Sequence, residues 1–184
     1  MSIALLLIDI QNDYFKNGKC ELFNTEKTAE NAKKILTLFR KNNLPIIHVQ
    51  HISMSSTASF FLPDTYGSKI NKIVFPLDNE EIVIKHTPDS FFKTRLQSFL
   101  EEKNINKLVI CGMMSHLCID TSVRTAKKLG YDITLIEDAC TTKNLFWDDK
   151  EIHAETVHQV FMASLQNSFA DIKNTEIFLS NYCK

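Results

Sequence analysis

Three residues able to do chemistry together each stand at the end of a short apolar run: Asp9 after LLLI, Lys85 after EIVI, and Cys118 in the stretch that follows KLVI. In an open parallel sheet the carboxyl ends of the strands converge on one rim, so an acid, an ammonium and a thiol placed there can meet. Together they compose an activated cysteine nucleophile, with a carboxylate as base, a lysine as electrostatic partner and a sulfur as attacker. A free thiol, with a pKa of about 8.5, is mostly protonated near neutrality, so the two charged partners matter.

The elements that must position these residues read as strands alternating with helices, which predicts a parallel α/β sheet. Ile3–Ile8 reads as the first strand. A helix follows from about Thr25, whose hydroxyl can cap it, with Ala29, Ala32, Ile35, Leu36 and Phe39 on its buried face. Pro45 keeps that helix from continuing, and Ile46–Val49 forms the second strand. The stretch 50–79 loses periodicity, as functional loops and lids do. Within it Phe60, Phe61, Pro63 and Tyr66 either line a pocket or pack the loop down. Ile82–Ile84 is the third strand, after which Asp89 or Ser90 caps a helix with Phe92, Leu96, Phe99 and Leu100 inward. Lys107–Cys111 is the fourth strand. A helix starting near Cys118 carries Val123, Ala126 and Leu129 inward and stops at Gly130. Ile133–Ile136 is the fifth strand, Ala154–Asn167 the last helix with Val157, Val160, Phe161 and Leu165 buried, and Glu176–Leu179 a final strand.

A chain of 184 residues that is 44% hydrophobic fits one domain with a sizeable core, spanning residues 1–184. A net charge of −1 with no basic block excludes electrostatic binding of nucleic acid as an expectation, and the Lys33-Lys34 and Lys127-Lys128 pairs read as solvated helix faces. The apolar N-terminal run lacks a basic start and is broken by Asp9, so neither a membrane span nor a signal peptide is expected. Five cysteines, Cys20, Cys111, Cys118, Cys140 and Cys183, are odd in number and form no CxxC pair, which points to a reduced, cytoplasmic setting.

The residues around the three chemical points resemble a known family. ALLLIDIQNDYF at Ala4–Phe15, IKHTPDSFF at Ile84–Phe92 and CGMMSHLCIDTSVRTAKKLGYDITLIEDAC at Cys111–Cys140 are similar to the isochorismatase-like cysteine hydrolases. That resemblance covers nearly the whole chain in order. It implies a Rossmann-like three-layer α/β/α fold with a central, mainly parallel six-stranded sheet. It further implies Asp9, Lys85 and Cys118 as catalytic residues, a cis peptide between Met113 and Met114, and an oxyanion hole made by the N–H groups of Met114 and Cys118. Tyr14 and Phe91 fall at its aromatic substrate positions, and either residue also suits a core. Homo-oligomers, dimeric or larger, are expected from the same resemblance.

Cys118 itself, where a strand–turn–helix unit meets a helix N-terminus, is placed to favour a thiolate. Cys111 and Cys140 read as buried apolar residues. Nicotinamidases of the family bind a metal through an Asp-x-His pair after the second strand. Here the sequence is Val49-Gln50-His51, so neither metal nor cofactor is expected. His48 and His51, three apart, point to opposite faces if the strand continues. His51 and Phe61 stand as candidate pocket residues, with an ordinary loop histidine and a packing phenylalanine as the plain alternatives, and His116 is left open in the same way. The leading expectation is cleavage of a C–N bond in a small amide through a thioester at Cys118. Isochorismatase-like ether hydrolysis, or nicotinamidase-like activity without the metal site, stands as the alternative. A thiol redox protein or a non-catalytic binding protein is the reading from another class. The partner expected is a small-molecule substrate, with no nucleic acid and no membrane.

Overall fold

The computed structural model describes residues 2–182, so Cys183 lies outside the described residues. Six strands, β1 (Ser2–Ile8), β2 (Ile46–His51), β3 (Glu81–Lys85), β4 (Ile105–Met113), β5 (Asp132–Thr141) and β8 (Asp171–Lys173), form one parallel sheet in the order β3-β2-β1-β4-β5-β8. Strand β1 is central, and Ala4 through Ile8 are all buried. A strand covered on both faces reads as an unbroken apolar run, as ALLLI does.

Helix α1 (Thr25–Lys41) packs against β5, β4, β1 and β2 and against α5 (Thr175–Tyr182); α3 (Asp120–Lys128) and α4 (Ala154–Leu165) pack on each other and on β5. The chain leaves β1 toward β2 on one side and later leaves β4 toward β5 on the other, so the strand order reverses between β1 and β4. Open α/β sheets place their ligand crevice at such a reversal. Asp9 ends β1 and Cys118 follows β4 at that point. The two strands approach closely there. A Cβ added to Gly112, whose φ of +132° suits glycine, would lie 2.0 Å from the Ile8 carbonyl oxygen.

Several sequence expectations are corrected. Thr25 begins α1 but does not cap it: its hydroxyl donates to the carbonyls of Tyr14 and Leu22, tying the helix to the segment after β1. Helix α2 is short (Leu96–Glu102). Asp89 and Ser90 do not cap it but dock the preceding loop on α3, through Thr125 and Ser122, and Phe92 is half exposed. Leu129 and Val160 are exposed as well, while Met162 takes the buried position in α4. Residues Glu176–Leu179 are helical. Asn174 caps that helix by accepting the Ile177 N–H at 2.8 Å, and the place beside β5 is filled by Asp171–Lys173. A hairpin of β6 (Leu145–Trp147) and β7 (Lys150–Ile152) turns at Asp148 and Asp149, both with positive φ. An Asp-Asp turn is a weaker hairpin signal than Asn-Gly, and this one was not read from the sequence.

The edge of the sheet is held by one buried ionic cluster. Glu80, just before β3, accepts from Arg40 of α1 at 2.6 Å, from His48 of β2 at 2.9 Å and from the Leu77 N–H at 3.0 Å. Burial alone would raise the Glu80 pKa, but the Arg40 hydrogen bond, the Leu77 N–H and His48 together hold it down to about 2. A folded pKa below the ordinary value gives stability that is complete above the ordinary range and lost as pH falls toward 2. Glu80→Gln is therefore expected to cost on the order of 2–3 kcal/mol near neutral pH. Urea unfolding as a function of pH checks this: the stabilities of wild type and variant should converge in acid.

Candidate active site

Lys85 and Asp9 lie on strands separated by β2, and neither residue has solvent contact. Adjacent strands are about 4.8 Å apart, so only a long side chain on β3 can reach over β2 to the end of β1. Lys85 does so. Its Nζ lies 2.8 Å from Asp9 Oδ2, 3.0 Å from His51 Nδ1, 3.0 Å from the Thr87 carbonyl and 3.2 Å from Cys118 Sγ. The His51, Thr87 and Cys118 contacts have the angles of hydrogen bonds. The Asp9 approach, the shortest of the four, misses those angles and is held as an ion pair, so neither carboxylate oxygen receives a well-angled hydrogen bond among the described residues. Burial works against the ammonium, but Asp9 and the Cys118 sulfur outweigh it and hold the Lys85 pKa above the ordinary lysine value.

Cys118 sits inside a single π-helical turn, Ser115–Ile119, that runs directly into α3, and it is buried. The peptide preceding Met114 is cis, as the resemblance implies. Burial, then the charge of Asp9, push the Cys118 pKa well above that of a free thiol, with Lys85 pulling only partly the other way. The direction favours the neutral thiol over the thiolate. Desolvation and the Asp9 carboxylate thus work against the thiolate expected at the helix terminus, and the Lys85 ammonium works for it.

The segment after β1 is built to hold this rim. Asp9 adopts a left-handed φ of +53°, and its N–H donates to the Val49 carbonyl on β2. Gln11 spends its whole side-chain amide on pinning neighbours, donating to the carbonyls of His51 and Ser68 and accepting the His51 N–H. Asn12 donates to the Tyr66 carbonyl and accepts from Asn71. Asp13 accepts the N–H groups of Phe61 at 2.7 Å and Lys19 at 3.2 Å. These contacts fasten the long stretch after β2 over the site. Phe61, at φ +56°, packs against Tyr14 with the rings tilted by 59° and centroids 4.6 Å apart, and lies 5.9 Å from the His51 ring. Tyr14 is buried, and its pKa is raised well above the ordinary value by burial first, then by Cys118, which is an anion only in the alkaline range, and by Asp9.

The structure thus brings Asp9, Lys85, Cys118, His51, Tyr14 and Phe61 together. Phe91 lies elsewhere: it stacks on Tyr131, which precedes β5 and so belongs to the opposite rim. His116 bonds to the Thr142 hydroxyl and meets Phe161 edge-on, beside the site. His48 faces Glu80, on the other side of β2 from His51, as the strand period requires. The role of Gln11 and Asp13 as loop pins was not read from the sequence; their polar run directly after a buried strand was the available signal. Cavities of about 520 and 510 Å³ are lined by other residues, the first by Arg40, Leu77, Glu80 and Phe99, the second by Lys107, Asp132 and Phe169.

Asp9, His51 and Cys118 offer ligand atoms within 4.8 Å of one another. A metal ion does not fit among them, because the Lys85 ammonium touches all three and takes the place a cation would hold. Val49, where nicotinamidases carry an acidic ligand, is buried and offers none.

The isochorismatase domain matches residues 3–177 of this chain. The chain belongs to the isochorismatase family. The isochorismatase family protein YddQ of Bacillus subtilis (strain 168) is 51% identical over 179 residues, covering 97% of this chain and 99% of the relative. A solved isochorismatase-family structure from Oleispira antarctica superposes with a TM-score of 0.94 at 40% identity, covering 97% of this chain and 96% of that one. Nicotinamidase 3 of Arabidopsis thaliana is more distant, 28% identical over 166 residues, covering 84% of this chain and 78% of the relative. In this isochorismatase-family hydrolase no helix among the described residues is long and apolar enough to cross a membrane.

If Asp13 fastens the covering loop, Asp13→Asn should destabilise the fold by about 1–3 kcal/mol. It should also speed amide hydrogen exchange across 53–67. Exchange mass spectrometry reads both, and unchanged exchange in that segment would refute the assignment.

Proposed function

We propose that the protein is a cysteine hydrolase that cleaves the C–N bond of a small amide through a thioester at Cys118. In this reading Asp9 removes the S–H proton as the sulfur attacks the acyl carbon, and Lys85 balances the charge that moves between them. The C–N bond then breaks, and Asp9 returns the proton to the departing nitrogen. Water enters, gives a proton to Asp9 and attacks the thioester, and the carboxylic acid leaves as the sulfur recovers its proton. The N–H groups of Met114 and Cys118 are assigned to the developing oxyanion, a contribution of about 3–4 kcal/mol per donor in comparable acyl-transfer sites. Tyr14, Phe61 and His51 border the substrate. Phe91, stacked on Tyr131, is not assigned to it.

One observation carries the reading: a single buried ammonium lies 2.8 Å from a carboxylate with unengaged lone pairs and 3.2 Å from a thiol. That is a base, a nucleophile and a counterion in contact, away from water. The amide preference is also supported by the nicotinamidase among the relatives, while the residues at the metal position here favour chemistry without that ion. The second reading is isochorismatase-like ether cleavage, which needs no sulfur nucleophile. The thiol redox reading lacks a CxxC partner for Cys118. A reduced, cytoplasmic setting suits the four described cysteines, which are all free. A homo-oligomer suits the half-exposed Ile82 and Ile84 on edge strand β3.

A panel of small primary amides assayed for ammonia release tests the proposal. Cys118→Ala and Asp9→Asn should each lower turnover by at least about a hundredfold while preserving the fold by circular dichroism. Full activity of Cys118→Ala on a vinyl ether, with no amide turned over by wild type, would transfer the assignment to the ether reading.

A further inference from the structure

An ammonium has three hydrogens, and Lys85 has four acceptors within reach. How these are allotted sets how many of the Asp9 lone pairs stay open for a proton. The contacts to His51 Nδ1, the Thr87 carbonyl and Cys118 Sγ have hydrogen-bond angles, while Asp9, the nearest of the four, meets the ammonium off-angle as an ion pair. Thr87 is a backbone acceptor fixed by the chain, and Cys118 is the nucleophile. His51 is therefore the one acceptor that is neither.

We propose that His51 is a positioning residue: by accepting a Lys85 N–H at Nδ1, it turns that hydrogen away from Asp9 and keeps the carboxylate lone pairs open for the Cys118 proton. The proposal rests on Asp9 being the base, as assigned above, and goes beyond it by saying what keeps that base free beside a contacting lysine. It also explains why His51 stands where it does. β2 is the strand that Lys85 must cross, and His51 is the residue on β2 directly opposite Lys85 in the ladder. The Gln11 amide grips the His51 peptide on both its N–H and its carbonyl, and Phe61 flanks the ring.

For this role the imidazole must be neutral, with its proton on Nε2. The titratable groups facing it are Lys85 and His86 from β3 and the loop after it, Asp9 from the end of β1 and Cys118 from the turn after β4. Burial, the Lys85 charge and His86 outweigh the opposing pull of Asp9 and lower the His51 pKa to about 4. The Nδ1 lone pair is thus available over the neutral range.

The test needs no substrate. The rate of Cys118 carboxamidomethylation by iodoacetamide, followed by peptide mass spectrometry against pH, is compared in wild type, His51→Leu, His51→Asn and Asp9→Asn. Asparagine keeps an acceptor at the Nδ1 position; leucine has none. His51→Leu is expected to lose about a hundredfold in rate near neutral pH. Its pH profile should take the shape of the Asp9→Asn profile, rising only with hydroxide. His51→Asn should keep the wild-type profile. A merely structural His51 would lower the rate in parallel at every pH, and that result, or loss in His51→Asn equal to that in His51→Leu, overturns the proposal. If Asp9→Asn keeps the wild-type profile, or the wild-type thiol never reacts, the assignment of Asp9 and Cys118 fails, and this proposal with it.

Discussion

A full positive and a full negative charge meet at Lys85 and Asp9 without solvent contact, and the rest of the molecule is arranged around that fact. Removing two ions from water costs several kcal/mol each, and breaking such a pair by deleting one partner leaves a bare buried charge at a cost of about 3–5 kcal/mol. A pair of this kind is a poor device for stability alone. Here it is drawn from two strands that are not neighbours, so it also fixes where the end of β3 lies relative to the end of β1. The Arg40–Glu80–His48 cluster serves the same purpose at the start of β3, anchoring the edge strand before the lysine is presented.

The pair also explains the condition of the thiol. Lysine favours a thiolate, while burial and the Asp9 charge work against it, which favours the neutral sulfur. In the proposed reaction the reactivity lies in the relation between Asp9 and the sulfur rather than in a standing anion. Transfer of the S–H proton would move the negative charge from oxygen to sulfur, with Lys85 in contact with both. Nothing in that exchange requires a second cation, which accords with the lysine filling the space among Asp9, His51 and Cys118.

Much of this was legible in the sequence because strand ends in a parallel sheet are chemical positions. Asp9 and Cys118 follow buried runs and Lys85 a half-exposed apolar one, and the apolar pattern of β1, α1 and β4 locates the buried runs directly. What could not be read was set by tertiary contact. Asp89 and Ser90 carry good capping chemistry, yet α3 offers Thr125 and Ser122 as partners and takes them for docking. Glu176–Leu179 carries the apolar run Ile177-Phe178-Leu179 suited to a strand, but the slot beside β5 is taken by Asp171–Lys173, a strand of three residues that is too short to stand out. Phe91 follows the lysine in sequence, yet the loop turns it toward Tyr131 and the opposite rim. The link between His51 and Lys85 depends on the register between β2 and β3, which no periodicity carries.

The account turns on a resting thiol beside a free carboxylate, and the ultraviolet thiolate band measures that state directly. Difference spectra between wild type and Cys118→Ser should show no thiolate at Cys118 near neutral pH, with the band growing in only in the alkaline range. A full thiolate band at neutral pH would contradict the account, because it would mean that Lys85 already holds the sulfur as an anion and that Asp9 is not needed to remove its proton.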